Sequence, residues 1–478
     1  MPGPGHRLTI CLIVCGGMAA SVGEVFGQRP AGEESNRPNV LFIAIDDLND
    51  WIGCLGGYPG VRTPNFDRLA ERGVLFTGAH CNAPLCNASR ASLMTGMRPS
   101  TSGVYTNSQS WRASPVLSDA VTLSQYFRAH GYRAIGGGKI YHGSFPDPPS
   151  WDDYYPSQQR NRPPDPLPAN RPLNGIPRTQ HFDWGPVEAP VDEMGDTKVV
   201  DWAVGELGQS HDQPQFLAVG IFRPHLPWYV PPQYFDAYPL ADIALPEVPA
   251  DDLEDIPQIG RRMARPGGDH RRVLQHDQWH EAVRGYLASI TFADDLLGRL
   301  LDALDRSPMR DNTIIVLWSD HGWHLGEKHH WRKFTLWEES TRVPLMIVAP
   351  GVTQAGTRCE EPVSLLDLYP TLVELAGLPA KEGVEGTSLV PQARDPSAPR
   401  RQPVVATHGF RNHAIRDGRY RYIRYADGSE ELYDHRTDPQ EWENVAARED
   451  LAEVKQRLAS ALPEMNRRGI GRGQGGEQ

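Results

Sequence analysis

Four short apolar runs in this sequence each end abruptly in ionisable residues, and that pattern limits the fold more than any other feature. Val40 to Ile45 leads straight into Asp46-Asp47. Tyr132 to Ile135 leads into Gly136-Gly137-Gly138-Lys139-Ile140-Tyr141-His142, and Phe216 to Phe222 leads into Arg223-Pro224-His225. Thr313 to Trp318 leads into Ser319-Asp320-His321-Gly322, and a fifth run, Pro344 to Val348, closes at Ala349-Pro350-Gly351. Short runs that are apolar on both alternations suit parallel strands covered on both faces. Between them, Ile290, Ala293, Leu297, Leu300, Leu301 and Leu304 recur at helical steps, with Pro308 as the stop. Strands alternating with helices predict an α/β fold, a mostly parallel sheet flanked by helices. Ligands bind beyond the carboxyl ends of such strands. Here four strand ends deliver Asp-Asp, Lys/His, His and Asp-His to one rim. Any one polar strand end is ordinary, but four that mix acids and cations point to a site.

The rest of the composition sets bounds. A chain of 478 residues can bury a main domain and a smaller companion. With 48 basic and 60 acidic residues its formal net charge is −12, the wrong sign for a nucleic-acid coat, though a few local cations can still hold a small anion. Residues 1–28 read as a secretory signal: Arg7, the apolar stretch Leu8 to Val14, then Ala19, Ala20 and Gly23. The expected location is therefore exported, periplasmic or extracellular. No later run approaches the roughly 18 apolar residues of a membrane span, so stable membrane insertion is not expected. Beyond the signal remain Cys54, Cys81, Cys86 and Cys359, too few for a disulfide scaffold and wrongly spaced for zinc. A Cys81–Cys86 pair stays open.

Two long segments break the alternation. Ser144 to Pro190, rich in proline and aromatic residues, is expected to wrap the mouth of the site. Pro249 to Arg272 is first acidic (Asp251, Asp252, Glu254, Asp255) and then basic (Arg261, Arg262, Arg265, Arg271, Arg272), which suits a surface loop or a substrate-facing one equally. A main domain over 36–378 gives way to a smaller C-terminal α+β subdomain over 379–470. That part has predicted strands at Val404–Thr407, Tyr420–Arg424 and Glu431–Tyr433, and a final helix over Ala447–Leu462.

The segment Cys86-Asn87-Ala88-Ser89-Arg90, continued by Met94-Thr95-Gly96, resembles the signature of the sulfatase family, C-x-[P/A]-S-R-x-x-x-[L/M]-T-G. Asp46-Asp47, Asp320-His321, Arg342-Val343-Pro344 and Leu432-Tyr433-Asp434 resemble the family's other features in order along the chain. The resemblance implies an alkaline-phosphatase-like fold and a nucleophile made by oxidising Cys86 to formylglycine, which requires a formylglycine-generating maturation enzyme as partner. It further implies one Ca²⁺ per chain held by Asp46, Asp47, Cys86, Asp320 and His321, and catalytic roles for Cys86, Arg90, Lys139, His142, His225 and Lys333. The spacing Lys139-x-x-His142, the motif Pro224-His225-x-Pro227, and Asp320 to Glu327 followed by Lys333 resemble the iduronate-2-sulfatase-like group. A sulfated carbohydrate substrate is implied. Ala88 stands where most cysteine-type sulfatases have proline; radical-type maturation enzymes accept alanine, whereas the oxygen-dependent one prefers proline.

These residue types suit the chemistry. A sulfate ester repels an incoming oxygen nucleophile, and a divalent cation with lysine and arginine neighbours offsets that repulsion. A carboxylate-rich set favours Ca²⁺ or Mg²⁺, and the histidine leaves Mn²⁺ or Zn²⁺ open on chemistry alone. By the resemblance His142 acts as base, His225 with Lys333 protonates the leaving alcohol, and Arg90 holds the nucleophile loop. His324, His329 and His330 read as packing residues, and the glycosylation triplet Asn87-Ala88-Ser89 as a false positive. Three alternatives remain: an arylsulfatase, a phosphonate or phosphodiester hydrolase of the same superfamily, and, in another class, a non-catalytic binder of sulfated glycans.

Overall fold

The computed structural model describes Met1, Gly3, Gly5 and residues 37–179 and 181–471, so the signal segment expected over 1–28 lies, but for those three residues, outside the described residues. From Arg37 onwards the chain forms one compact unit. Its centre is an eight-stranded sheet of β1 (Asn39–Ile45), β2 (Val74–Phe76), β3 (Arg133–Gly138), β4 (Asp153–Tyr155), β5 (Gln215–Ile221), β6 (Thr313–Ser319), β7 (Leu345–Val348) and β8 (Thr357–Cys359). The spatial order is β8-β2-β7-β6-β1-β5-β3-β4. The five strands from β6 to β4 run parallel, with Ile43 opposite both Val219 and Leu317. β7 runs antiparallel to β6 and β2. A parallel partner for β6 would need a crossover of a dozen or more residues, usually helical. The stretch from Asp320 to Pro344 instead forms loops with one four-residue α-helix, Glu338–Thr341, and the chain re-enters the sheet in the opposite direction.

The strand alternation divides between two cores. Leu41, Ile43 and Ile45 face one apolar layer, and Val40, Phe42 and Ala44 face the other. The first layer is filled by two helices that pack together, α2 (Gly195–Leu207) and α5 (Trp279–Asp305). α5 begins eleven residues before the periodic stretch read from the sequence, because Ala282, Val283, Tyr286 and Leu287 continue its apolar stripe. The second layer receives α1 (Cys86–Thr95), all ten of whose residues are buried. Helices on both faces of a largely parallel sheet are the α/β architecture expected from the strand pattern.

A second, four-stranded antiparallel sheet follows: β9 (Val404–Thr407), β10 (His413–Arg416), β11 (Tyr420–Arg424) and β12 (Glu430–Asp434). β10 carries only four residues and escaped the sequence reading. One face of this sheet packs on α3 (Gln258–Ala264) and on Leu336 and Trp337, and the other on α6 (Ala452–Ala459). The final helix is thus half the length expected over 447–462; a 3₁₀ turn at Glu449–Leu451 precedes it and Pro463 follows. A further short helix, α4 (Asp269–Gln275), follows α3. The seam with the main sheet is ionic as well as apolar. Buried Arg421 pairs with Glu338 and Glu441, and buried Lys328 pairs with Asp252 at 2.5 Å. No helix among the described residues is long and apolar enough to cross a membrane.

Candidate active site

The strand ends converge as the pattern requires. β1 ends at Asp46 and Asp47, β6 continues to Asp320 and His321, and their carboxylate and imidazole groups meet beyond the sheet. β3 ends at Gly138, which has φ +77°, and a Cβ there would lie 1.8 Å from the Gly220 carbonyl oxygen. A Cβ on Gly220 would lie 2.4 Å from the Lys139 nitrogen. Only glycine at both positions lets β3 and β5 close up and turn Lys139 into the site. The cis bonds before Pro224 and Pro227 frame His225.

Cys86 is the first residue of α1, so its side chain stands at a helix N-terminus, where unpaired backbone N–H groups favour negative charge. Its Sγ lies 3.3 Å from His321 Nε2, 3.9 Å from Asp47 Oδ1 and 3.6 Å from both Lys139 Nζ and Lys333 Nζ. Arg90, one turn on, is fully buried. Its Nε donates to Asp320 Oδ2 at 2.8 Å, its second nitrogen to Asp46 Oδ1 at 2.9 Å, and its third to the carbonyls of Lys139 and Ile140. Lys139 pairs with Asp46, and Lys333 Nζ sits 2.8 and 3.0 Å from the two oxygens of Asp47. His225 Nε2 is 3.7 Å from Asp47 Oδ2, while its Nδ1 donates to the Leu226 carbonyl. His142, with no partner for its Nδ1, lines the cavity that leads to this cluster together with His225 and Lys333. The structure therefore brings together Asp46, Asp47, Cys86, Arg90, Lys139, His225, Asp320, His321 and Lys333, and places His142 on the adjoining wall.

Electrostatics follow from burial. Burial pushes the Asp46 and Asp47 carboxyls up, with Lys139 and Lys333 respectively opposing it. Burial acts on Asp320 as well, but Arg90 and then His321 overcome it and hold that carboxyl well below its ordinary range. Burial also pushes the Cys86 thiol up to about 12, despite both lysines, so an unmodified cysteine here is a neutral thiol. His142 is lowered to about 3 by burial and then by Lys139 and Lys333, which leaves a neutral imidazole facing the cavity.

Five donor atoms, from Asp46, Asp47, Cys86, Asp320 and His321, lie within 4.8 Å of one another. His321 Nδ1 contacts the Gly322 carbonyl at 2.9 Å and can only donate to it, so the Nε2 lone pair faces Asp47 Oδ1 at 3.3 Å and Asp320 Oδ2 at 3.5 Å. A lone pair aimed at two carboxylates is repulsive unless a cation stands between them, so the donor set fits a metal ion. A second such group, Glu338, His435 and Glu441, already holds the Arg421 guanidinium.

Other expectations resolve on geometry. The four cysteines are free, so the Cys81–Cys86 pair is absent. Asn87 is buried, and its amide donates to the carbonyls of Thr106 and Gln109, which closes it to a glycan. His324 and His330 are buried packing residues, and the two ring nitrogens of His330 each lie 2.7 Å from a backbone carbonyl, of Ala264 and of Lys333. The sequence reading missed His181, whose ring centroid lies 5.2 Å from that of His225, and His408, both of which line the cavity. Neither lies in a periodic or motif-bearing segment that would have marked it.

Comparison with known proteins agrees with this geometry. The family model described as "Sulfatase" matches residues 38–378, and that described as "N-sulphoglucosamine sulphohydrolase, C-terminal" matches residues 326–468. A sulfatase of Formosa agariphila is 38% identical over 474 residues, covering 96% of this chain and 91% of its own. Iduronate 2-sulfatase of Mus musculus is 32% identical, covering 71% and 69%. Among solved structures, a phosphonate monoester hydrolase from Silicibacter pomeroyi shares the fold, with a TM-score of 0.73 at 24% identity over 89% of this chain and 94% of that one. Family match, full-length relatives and the buried cysteine cluster agree, and the chain belongs to the sulfatase family of sulfuric ester hydrolases.

Proposed function

We propose that the chain removes sulfate from a sulfated carbohydrate, using formylglycine made from Cys86 as nucleophile and Ca²⁺ held by Asp46, Asp47, Cys86, Asp320 and His321. The observation that carries this reading is the position of Cys86 Sγ, 3.6 Å from two lysine ammonium groups and at the edge of the buried donor set. When bound, the metal ion would supply a Lewis acid for sulfate oxygens. The chain's own residues divide the remaining work. Arg90 fixes Asp46 and Asp320 in place and anchors the Lys139 carbonyl. Lys139 and Lys333 offset charge on the transferring group. Neutral His142 takes a proton from the modified Cys86 side chain, and the Lys333 ammonium, with His225 beside it, delivers one to the leaving alcohol oxygen. The three carboxylates are balanced by Arg90, Lys139 and Lys333, so a divalent ion would leave a net positive site for an anionic ester.

The carbohydrate assignment is supported by likeness to iduronate 2-sulfatase over about 70% of each chain. An exported enzyme, matured at Cys86 by a formylglycine-generating partner that accepts Ala88, completes the proposal. The test is mass spectrometry of the tryptic peptide Gly73–Arg90 from protein made in its native host, paired with sulfate release from defined sulfated disaccharides. An aldehyde at Cys86, and turnover abolished in Cys86→Ala, are expected. An unmodified thiol in active protein would end the formylglycine reading. Faster cleavage of a matched phosphonate ester would move the chain's activity to that class.

A further inference from the structure

The basic half of the segment 249–272 is divided by the fold. Arg261 is tied down, its Nε donating to the Ile256 carbonyl at 2.8 Å and its terminal nitrogen to the Glu254 carbonyl. Arg272 caps the Pro177 carbonyl. Arg332, from a different loop, is neutralised by Asp269 at 2.7 Å and stacks on Phe182. Arg262, Arg265 and Arg271 are exposed with no ion-pair partner among the described residues, and of these Arg262 and Arg265 line the active-site cavity. They project from α3 and its C-cap into the cavity of about 1050 Å³ whose inner wall carries His142, His225 and Lys333.

Three further observations mark this rim as built to meet an anion. The lining holds four cations, Arg262, Arg265, Arg332 and Lys333, against a single carboxylate, Asp269, in a chain whose net charge is −12. Arg265 is the αL cap of its helix, at φ +50°, where glycine is the low-strain residue; strain of this kind collects at functional sites. His408, on the same wall, has a buried Nδ1 with no hydrogen-bond partner, and the Arg265 charge is close enough to act on its imidazole. Lys333 lies deeper, between Asp47 and Cys86, so it belongs to the reacting centre and not to the rim.

Resting on the sulfatase reading above, we infer that Arg262, Arg265 and His408 form an anion subsite at the rim of the active-site cavity, which selects substrates carrying a second negative group beyond the sulfate being cleaved. The group it takes is a planar or tetrahedral oxyanion, a uronate carboxylate or another sulfate, on the same sugar or the next one. Guanidinium geometry suits both.

The experiment compares wild-type protein with Arg262→Gln/Arg265→Gln on three esters: an aryl monosulfate, a monosulfated disaccharide with a free uronate carboxylate, and the same disaccharide with that carboxylate reduced to the alcohol. A disulfated disaccharide forms a fourth arm, which separates carboxylate from sulfate recognition. The double variant is expected to raise KM for the doubly charged substrates about 10–100-fold, the range for losing charge-assisted hydrogen bonds, with kcat held within about threefold. The aryl ester and the reduced disaccharide should lose far less. Arg265→Gly gives a control that separates charge from structure: it relieves the αL strain, so it should raise Tm while weakening the doubly charged substrate, and Arg265→Lys should recover most of the affinity. Equal losses on all substrates, or none on any, would overturn the subsite. Calorimetric binding of the disulfated disaccharide to Cys86→Ala protein, with and without the two arginines, reads the subsite without turnover. Wild-type protein that binds this ligand through the arginines yet releases no sulfate would overturn the proposed function and leave the subsite standing.

Discussion

Lys333 straddles the Asp47 carboxylate, 2.8 Å from one oxygen and 3.0 Å from the other, and the same ammonium stands 3.6 Å from Cys86 Sγ. Burial weakens the charged lysine, but Asp47 outweighs it, so Lys333 stays protonated across the neutral range. Its position comes from outside the main sheet: the Lys333 carbonyl lies 2.7 Å from His330 Nε2, and Phe334 N donates to the Pro84 carbonyl two residues before Cys86. Lys333→Ala should keep the fold and lower kcat about 10²–10³-fold, the usual effect of losing one donor to developing negative charge. Circular dichroism and steady-state kinetics check it; a kcat within threefold of wild type would remove Lys333 from the chemistry.

Chelation should cost both activity and stability. Without a cation, Asp46, Asp47 and Asp320 crowd one another around the His321 lone pair. Dialysis against a chelator should abolish turnover and lower Tm, and adding Ca²⁺ should restore both, with Tm rising by mass action toward about 2.7 kcal/mol of stabilisation at a hundredfold excess over Kd. Asp320→Asn should blunt the Tm response. A Tm that ignores Ca²⁺ in wild-type protein would argue against the site.

Acid should weaken the fold through histidines kept neutral inside it. His413, on β10, is lowered to about 4 by burial; its Nε2 donates to Asn466 at 2.8 Å and its Nδ1 accepts from Thr407 at 3.0 Å. The unfolded chain binds this proton below about pH 6.5, the folded chain only below about 4. Stability therefore falls as pH drops through that window and is full above it. His413→Gln should flatten the loss between pH 7 and 4.5 by on the order of 1–3 kcal/mol. Denaturant melts at the two pH values measure it, and an unchanged slope would exclude His413 as a contributor.

The seam between the two sheets should fail if Lys328 is lost. Its ammonium is buried, bonded to Asp252 at 2.5 Å and to the Glu441 carbonyl, with the rings of Trp337 and Tyr433 5.9 and 5.6 Å away. Lys328→Met strands the Asp252 carboxylate and should cost about 3–5 kcal/mol. Adding Asp252→Asn should recover part of that, which urea unfolding can read. Full recovery or none would mean that the pair is not the unit that matters.

Much of this was legible in the chain because it is written locally. β1 and β6 are apolar on both alternations, which marks buried parallel strands, and the acids that follow are adjacent in sequence. The Cys86 segment is a single contiguous helix start. What stayed hidden depends on contacts between distant segments. His181 and His408 reach the cavity from positions more than 200 residues apart, in segments without periodicity. Whether Arg261 or Arg262 lines the cavity could not be read from neighbouring arginines, since packing of α3 on Trp337 and the C-terminal sheet decides it. The direction of β7 was equally invisible, because a short apolar run reads the same whichever way it pairs with its neighbour.

The complete enclosure of α1 also sets an order in time. Arg90 is held by Asp320, 230 residues further along, and Ser89 by the Asp320 carbonyl; Tyr105, beyond the same helix, donates to the Arg467 carbonyl near the far end. At a synthesis rate of about 5–20 residues per second, roughly 10–50 s pass between the appearance of Arg90 and that of Asp320. Until then Cys86 lacks that wall, and afterwards its side chain is closed off from solvent. A protein that must touch the Cys86 side chain therefore has its opening while the second half of the chain is still being made.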